Sequence, residues 1–272
     1  MLAFAANSLL CRAALKRMTI DAASFSSIRI LSAAIALWLI LRVKRSDTRG
    51  HGTWPSATAL FLYVAAFSFA YNTLPAATGA LLLFAAVQAT MIGWGFRTGE
   101  RLQLQQWLGL ILACGGLVVL LLPGLSAPPA AGAMLMITAG AAWGIYSLRG
   151  KGVTHPTAAT AGNFLRAVPM TIALSLACLP WARIDAAGAT YAAISGAITS
   201  GLGYVIWYAA LPGLTATSAA TVQLSAPVIA AIGGILFLSE PLTLRFMLAS
   251  IAVLGGIALV VLNTQRADRK PR

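Results

Sequence analysis

Glu240-Pro241-Leu242-Thr243-Leu244, near the end of the chain, repeats Glu100-Arg101-Leu102-Gln103-Leu104 at a spacing of 140 residues. The match continues along the apolar run behind it. Leu108, Ile111, Gly115, Gly116 and Leu122 recur as Leu248, Ile251, Gly255, Gly256 and Leu262. Working outward from this stretch, an earlier part of the chain repeats at 137 residues: Arg12 with Arg149, Arg29 with Arg166, and Tyr71, Leu74 and Pro75 with Tyr208, Leu211 and Pro212. Each copy has room for five membrane-spanning helices. Five is odd, so the second copy enters the bilayer from the side opposite to the first, which makes the repeat an inverted one.

The composition agrees with a bilayer. The chain of 272 residues is 59% hydrophobic and only 9% charged, and its mean hydropathy is +0.84. A soluble domain carries roughly 25% charge. Ten spans of ~20 residues use about 200 residues and leave about 70 for loops, too few to hide a soluble domain. The net charge of +13 suggests no nucleic acid, because the cations sit in short loops between apolar runs as insertion signals do. Cys11, Cys114 and Cys178 fall in apolar runs without paired spacing or a nearby histidine, and they read as packing residues.

The first apolar stretch precedes its cations Arg12, Lys16 and Arg17, the reverse of a cleavable signal peptide. It reads as an uncleaved span. From Met1 to Leu15 a helix covers ~22 Å, short of the ~30 Å needed. Two accounts stand: the helix runs on towards Met18, or residues precede Met1.

The expected spans are 2–15, 22–41, 54–72, 76–96, 102–122, 130–148, 157–179, 186–208, 214–238 and 242–262. Prolines and glycines punctuate most gaps, notably Pro123-Gly124 and Pro128-Pro129 at the half boundary. The halves are 1–125 and 126–272, the second ending in a short tail. With the N-terminus cytoplasmic, 12 Lys and Arg fall on the inner side and 5 on the outer side. The positive-inside rule therefore places both termini in the cytoplasm, with the loop after the first span as the exception.

With the two five-span halves in view, the chain resembles the drug/metabolite transporter superfamily in its EamA-type branch. The likeness rests on the arginine ending the first span of each half, in Asn7-Ser8-Leu9-Leu10-Cys11-Arg12 and Trp143-Gly144-Ile145-Tyr146-Ser147-Leu148-Arg149. It rests also on Arg29 and Arg166 in the second spans, and on Leu224-Ser225-Ala226-Pro227-Val228 leading into Leu238-Ser239-Glu240-Pro241-Leu242-Thr243. It covers essentially the whole chain and is nearest to the YddG-type amino acid exporters of bacteria. The fourth span departs from it, with Val87-Gln88 where the ninth has Pro227-Val228. The resemblance implies an all-α integral membrane protein, ten helices in two inverted repeats around a central cavity. It implies a bacterial inner-membrane location and export of amino acids, aromatic and other neutral ones, or related metabolites by alternating access. No cofactor, metal or nucleic-acid partner is implied. The partners are the small-molecule substrate and the lipid bilayer, and a monomer is expected. Export of another small metabolite or drug, such as a purine or a quaternary ammonium compound, is the alternative.

Polar groups within spans are costly and each asks for a reason. All six acids lie in loops or at span ends, and His51 and His155 lie in loops. No proton-relay group stands at membrane depth, so weak or absent proton coupling is expected, as is the absence of an enzymatic constellation. Arg29 and Arg166 read either as a carboxylate clamp or as scaffold binding backbone carbonyls in their own halves. Glu100 and Glu240 read as helix-start acids or as gate residues. Gly115-Gly116 and Gly255-Gly256 read as sites of close helix approach. The cavity candidates are neutral polar and aromatic residues at mid-depth: Asn7, Tyr71, Phe84, Gln88, Trp143, Tyr146, Asn163, Tyr204, Tyr208 and Gln223. The resemblance puts an aromatic at the position of Trp143 into the cavity. Trp54, Trp181 and Trp207 read as interfacial tryptophans. Rings hold an ammonium by cation–π contact worth ~0.5–2 kcal/mol, and amides meet both ends of a zwitterion.

Overall fold

The computed structural model describes residues 1–44, 51–98, 103–122, 127–151, 153–210 and 223–268, the side chains of 208–210 and 261–268 excepted. Among the described residues all regular structure is helical: α1 (Leu2–Arg17), α2 (Ala22–Val43), α3 (Trp54–Ala70), α4 (Ala76–Arg97), α5 (Leu104–Leu121), α6 (Ala130–Gly150), α7 (Pro156–Ala177), α8, α9 (Ser225–Leu238) and α10 (Leu244–Asp268). Helix α8 runs in three pieces, an α-helical Ala186–Ile194, a π-helical Ser195–Leu202 and an α-helical Gly203–Ala210. Glu100 and the expected residues 214–222 of the ninth span lie outside the described residues.

The starts of these helices follow local chemistry. Asp21 and Asp185 cap α2 and α8 with their carboxylates. Thr53 caps α3 with Pro55 in its first turn, and Gln103 and Gln106 form a reciprocal capping box on α5. Each cap satisfies a backbone N–H that the helix itself leaves free.

Among the described residues five helices are long and apolar enough to cross a membrane: Ala22–Val43, Ala76–Arg97, Leu104–Leu121, Ala130–Gly150 and the stretch Ala186–Trp207. Trp54–Ala70, Ser225–Leu238 and Leu244–Val260 are shorter apolar helices. Helix α1 has 16 residues, below the ~20 that span a bilayer unaided. Helix α7 has 22 residues but carries Asn163 and Arg166 within it. The surface is apolar where a soluble protein would be polar. Leu31, Ile35 and Leu39 on α2, Ile111 and Val118 on α5, and Leu236 and Phe237 on α9 all face outward, while Asn7, Arg29, Gln88 and Asn163 are buried. Lipid is the solvent that this distribution suits. Of the cysteines only Cys11 is in the core; Cys114 faces outward and Cys178 is half-buried, so the packing expected of all three holds for the first.

The principal pairings are α5 on α10, α4 on α9, α2 on α7, α3 on α6, α1 on α8, α4 on α6, α1 on α9, α3 on α7 and α2 on α8. Exchanging the labels 1–5 with 6–10 turns each of these pairs into itself or into another of the set. The links also sort into two ends. His51, before α3, lies against His155, before α7, with ring centroids 5.4 Å apart. At the opposite end the α1–α2 and α7–α8 links join, since Asp21 N donates to Arg183 O at 2.9 Å and Arg183 N donates to the Asp21 carboxylate at 2.8 Å.

Asp21 thus serves two roles outside the spans, as cap and as clasp. Its partial burial would raise its pKa. The hydrogen bonds it accepts from Ser24, Arg183 and Ala23 outweigh that and hold it below the ordinary carboxylate value. A depressed folded pKa stabilises above the unfolded pKa of ~3.9, and the contribution fades as pH falls through that value and on to the folded one. D21A is expected to cost about 1 kcal/mol near neutral pH, a cap's worth. D21N keeps the cap but flattens the acid-side loss. Melting temperatures in detergent between pH 3 and 7 check both; an acid limb equally steep in D21N would assign that limb to another group.

Candidate functional site

Two cavities lie at opposite ends of the bundle. One, about 250 Å³, opens at the His51 end and is lined by Ser56, Tyr146, Arg149, Thr160 and Asn163 among others. The other, about 270 Å³, lies at the far end against Thr73, Thr78, Pro129, Glu240 and Phe246. Between them the centre is filled by rings. Trp143 packs against Tyr63 and Tyr204 with centroids 4.9 Å apart in each case, against Tyr146 at 5.5 Å and against Phe4 at 5.8 Å. Phe164 and Phe67 extend the cluster behind Tyr204 and Tyr63. Trp143, Tyr63 and Tyr204 are all buried.

A polar network is threaded through these rings. Asn7 Nδ2 donates to Tyr63 Oη at 3.2 Å, and Asn7 Oδ1 accepts from Ser195 Oγ and from Thr199 Oγ1. Arg29 Nη2 donates to the same Tyr63 Oη at 3.0 Å, and Arg29 Nε to Ser200 Oγ at 3.1 Å. Ser195, Thr199 and Ser200 all lie in the π-helical part of α8. The wider turn sets them on the face that meets α1 and α2, and such π segments recur at functional sites. The approach is close: a Cβ on Gly196 would collide with Arg29 O and Ser32 Oγ.

Three other arginines show how the halves differ. Arg12 Nε pairs with Glu240 Oε1 at 3.1 Å, and Arg12 Nη1 donates to the carbonyls of Tyr71 (2.8 Å) and Asn72 (3.2 Å). Its repeat partner Arg149 is exposed in the first cavity, with Nε donating to Ser56 Oγ at 3.0 Å. Arg166 Nη1 donates to His51 O (2.7 Å) and Gly162 O (3.1 Å), which is the scaffold geometry, though His51 belongs to the other half. Arg29, its partner in the repeat, bonds no backbone carbonyl among the described residues.

Glu240 has a different job from the one its position suggests. Thr243 Oγ1 caps α10 by accepting from Phe246 N. Glu240 Oε2 instead accepts from Ala76 N at 2.7 Å, at the start of α4. The acid therefore meets the positive end of a helix from the other half.

The candidate residues divide by place. Asn7, Trp143 and Tyr204 meet at the centre. Tyr146 and Asn163 line the first cavity, where Asn163 Oδ1 also accepts from Thr53 N at 2.9 Å and Nδ2 reaches Tyr146 Oη at 3.5 Å. Tyr71 lies apart: it is buried edge-on against Phe67 and donates to Ala76 O at 3.3 Å, beside the Arg12–Glu240 pair. Phe84 is packed in the apolar core. Gln88 is buried with Nε2 unbonded, Gln223 is half-buried just before α9, and the Tyr208 side chain lies outside the described residues. Trp54 and Trp181 are exposed, while Trp207 is half-buried and packs on Phe4, 6.0 Å between centroids. The sequence reading missed Tyr63, Phe67, Ser195, Thr199 and Ser200. The i, i+4 spacing of Ser195 and Thr199 was the available signal, but small polar residues are ordinary in tightly packed membrane helices.

Comparison with known proteins agrees with this architecture. The chain is 56% identical over 262 residues to an uncharacterized protein of Pseudomonas aeruginosa, a match covering 96% of this chain and 91% of that one. A solved crystal structure superposes with a TM-score of 0.68 over 97% of this chain and 98% of its own, at 16% identity, which is a likeness of fold. The model of the EamA-like transporter family matches residues 1–122 and again 130–262, and the chain accordingly belongs to that family, as a multi-pass membrane transporter of the drug/metabolite superfamily.

Proposed function

We propose that the protein exports neutral amino acids, aromatic ones included, and related metabolites by alternating access, in the manner of the YddG-type exporters. Its ten helices act as two inverted five-helix repeats, residues 1–125 and 126–272, in a bacterial inner membrane with both termini cytoplasmic. The exchangeable helix pairings and the double match of the family model support the two halves. The bacterial relative supports the location.

One observation carries the functional reading: a closed cluster of rings and an amide, Trp143, Tyr63, Tyr204 and Asn7, fills the centre behind the cavity that Tyr146 lines, with a second cavity at the opposite end of the bundle. A substrate must pass through that cluster, and its chemistry suits an amino acid. Rings accept an apolar side chain and hold an ammonium, and the amide serves either end. The acids whose side chains are described, Asp21, Asp185 and Glu240, sit at helix ends or in links. These positions support movement down the substrate's own gradient with weak or absent proton coupling.

Counterflow in proteoliposomes tests this, with pH and voltage clamped to zero. Unlabelled amino acids are loaded inside and labelled threonine, methionine or phenylalanine is added outside. Uptake that falls at least about tenfold in W143A, the effect of losing roughly 1.4 kcal/mol of binding, is the expected result. Absence of uptake for every amino acid would leave a carrier of another metabolite.

A further inference from the structure

Arg29 is a charged group with an unfilled hand. It is fully buried in the middle of the bundle, its guanidinium carbon 5.2 Å and 5.0 Å from the ring centroids of Tyr63 and Phe67. Two of its nitrogens reach neutral hydroxyls, on Tyr63 and Ser200. The third, Nη1, is enclosed and has no hydrogen-bond partner among the described residues. The one ion pair among the described residues is Arg12 with Glu240, so no carboxylate among them neutralises Arg29. Arg166, at the same place in the other repeat, spends its donors on two backbone carbonyls. The pair has divided its labour, one arginine holding the scaffold and the other left available.

We infer that Arg29 receives the carboxylate of the transported substrate, and so restricts transport to molecules that carry one; this rests on the amino acid reading above. A carboxylate is the planar, two-oxygen partner that a guanidinium fork fits. It would supply both the missing acceptor for Nη1 and the missing negative charge. The neighbouring groups suit the rest of such a molecule. Tyr204 is buried beside Tyr63 and Arg29, and its hydroxyl can donate to a second oxygen. The faces of Tyr63, Trp143 and Tyr204 surround the place where an ammonium and an apolar side chain would lie. The Tyr63 hydroxyl joins Arg29 to Asn7, which links occupation of the arginine to the α1–α8 contact through Ser195 and Thr199. A substrate leaving Arg29 hands the guanidinium back to hydroxyls alone, a weak grip consistent with release.

Purified protein in detergent tests the assignment by heat protection, which needs no transport. The probes are phenylalanine, 3-phenylpropionate (no ammonium), phenethylamine (no carboxylate) and phenylalanine amide, each at equal concentration, with sodium chloride alone as a further arm. Phenylalanine and phenylpropionate are expected to protect, and the amine and the amide to need on the order of tenfold more or greater for the same shift. R29K keeps the charge but not the fork and should lose most of that preference; R29Q should lose all of it. R166Q, if it folds, should be less stable yet keep the preference. Should R29Q not fold, the preference of the native protein and its loss in R29K still decide. Equal protection by phenethylamine and phenylalanine, a preference unchanged in R29K, protection by chloride as strong as by carboxylates, or no protection by any carboxylate would each overturn the inference. Counterflow separates the two readings. Phenylalanine carried with phenethylamine as an equal competitor removes the clamp and leaves the transporter. Carboxylate protection without amino acid counterflow removes the amino acid reading and leaves the clamp.

Discussion

Replacing Arg12 with alanine is expected to destabilise the protein by about 3–5 kcal/mol, the cost of stripping one partner from a buried ion pair. The side chains of Arg12 and Glu240 are only 11% and 5% exposed. The substitution would leave a carboxylate at the end of α9 without its counter-charge, and the carbonyls of Tyr71 and Asn72 without their donor. E240A should be comparably costly, because Arg12 would keep its charge and Ala76 N would lose its acceptor. The two losses share one interaction, so R12A/E240A should fall short of their sum by about 1–3 kcal/mol. Unfolding in detergent measures all three. A loss under about 1 kcal/mol in R12A, the value of an exposed pair, would show the site to be wet. The pair also joins α1, the α3–α4 turn and the α9–α10 link, and so holds shut the end of the bundle beneath the second cavity. If alternating access opens that end, a cysteine at buried Thr78 should react with an impermeant maleimide faster in R12A than in the native background. An unchanged rate would make the pair a fastening that stays closed through the cycle.

Much of this was legible in the sequence, and the reasons are specific. Apolar runs bounded by prolines located the helices because a bilayer allows few alternatives to a helix, and the expected and observed starts differ by at most two residues wherever both are described. Arg29 and Arg166 stood out because charge at depth is rare, and Arg12 and Arg149 because they recur at the same spacing at the ends of the first spans. What the sequence could not show is how two equivalent positions diverge. Arg29 and Arg166 have the same spacing and the same kind of flanking residues, yet one bonds hydroxyls and the other carbonyls. That difference depends on what the opposing helix presents: Ser200 and Tyr63 in one case, the His51 carbonyl in the other. Glu240 shows the same limit. An acid before a helix reads as that helix's own dipole partner, but Thr243 takes the cap and Glu240 turns to α4, a contact across 164 positions. Tyr63 was passed over because a tyrosine within an apolar run has no local mark of being the hub of a network.

The double glycines show the divide between pattern and contact at single-residue scale, and they carry the second large prediction. Gly255 and Gly256 are adjacent and share the same spacing from their counterparts Gly115 and Gly116, so the sequence treats them alike. The structure does not. A Cβ on Gly256 would run into Gly109 O and come within 2.6 Å of Ala113 N, both backbone atoms of α5. Gly109 is the matching contact on the other side, since its Cβ would stand 2.5 Å from Gly256 O. A Cβ on Gly255 meets nothing within 4 Å. The backbone of a packed helix cannot step aside as a flexible side chain can, so the pair α5–α10 must separate to admit any larger residue at 256. Overpacking costs about 1–3 kcal/mol where neighbours can adjust, and G256L should reach or exceed the top of that range, because here the obstructing atoms are main chain. G255L should stay within about 1 kcal/mol of the native protein, or gain slightly from the better helix propensity of leucine, and its side chain would point into open space beside an already apolar face. Melting temperatures of the two variants in the same detergent provide the comparison, each serving as the other's control for expression and insertion. Similar losses in both would mean that α10 packs in a different rotation about its axis from the one seen here, and with it that the close α5–α10 contact is made by other residues.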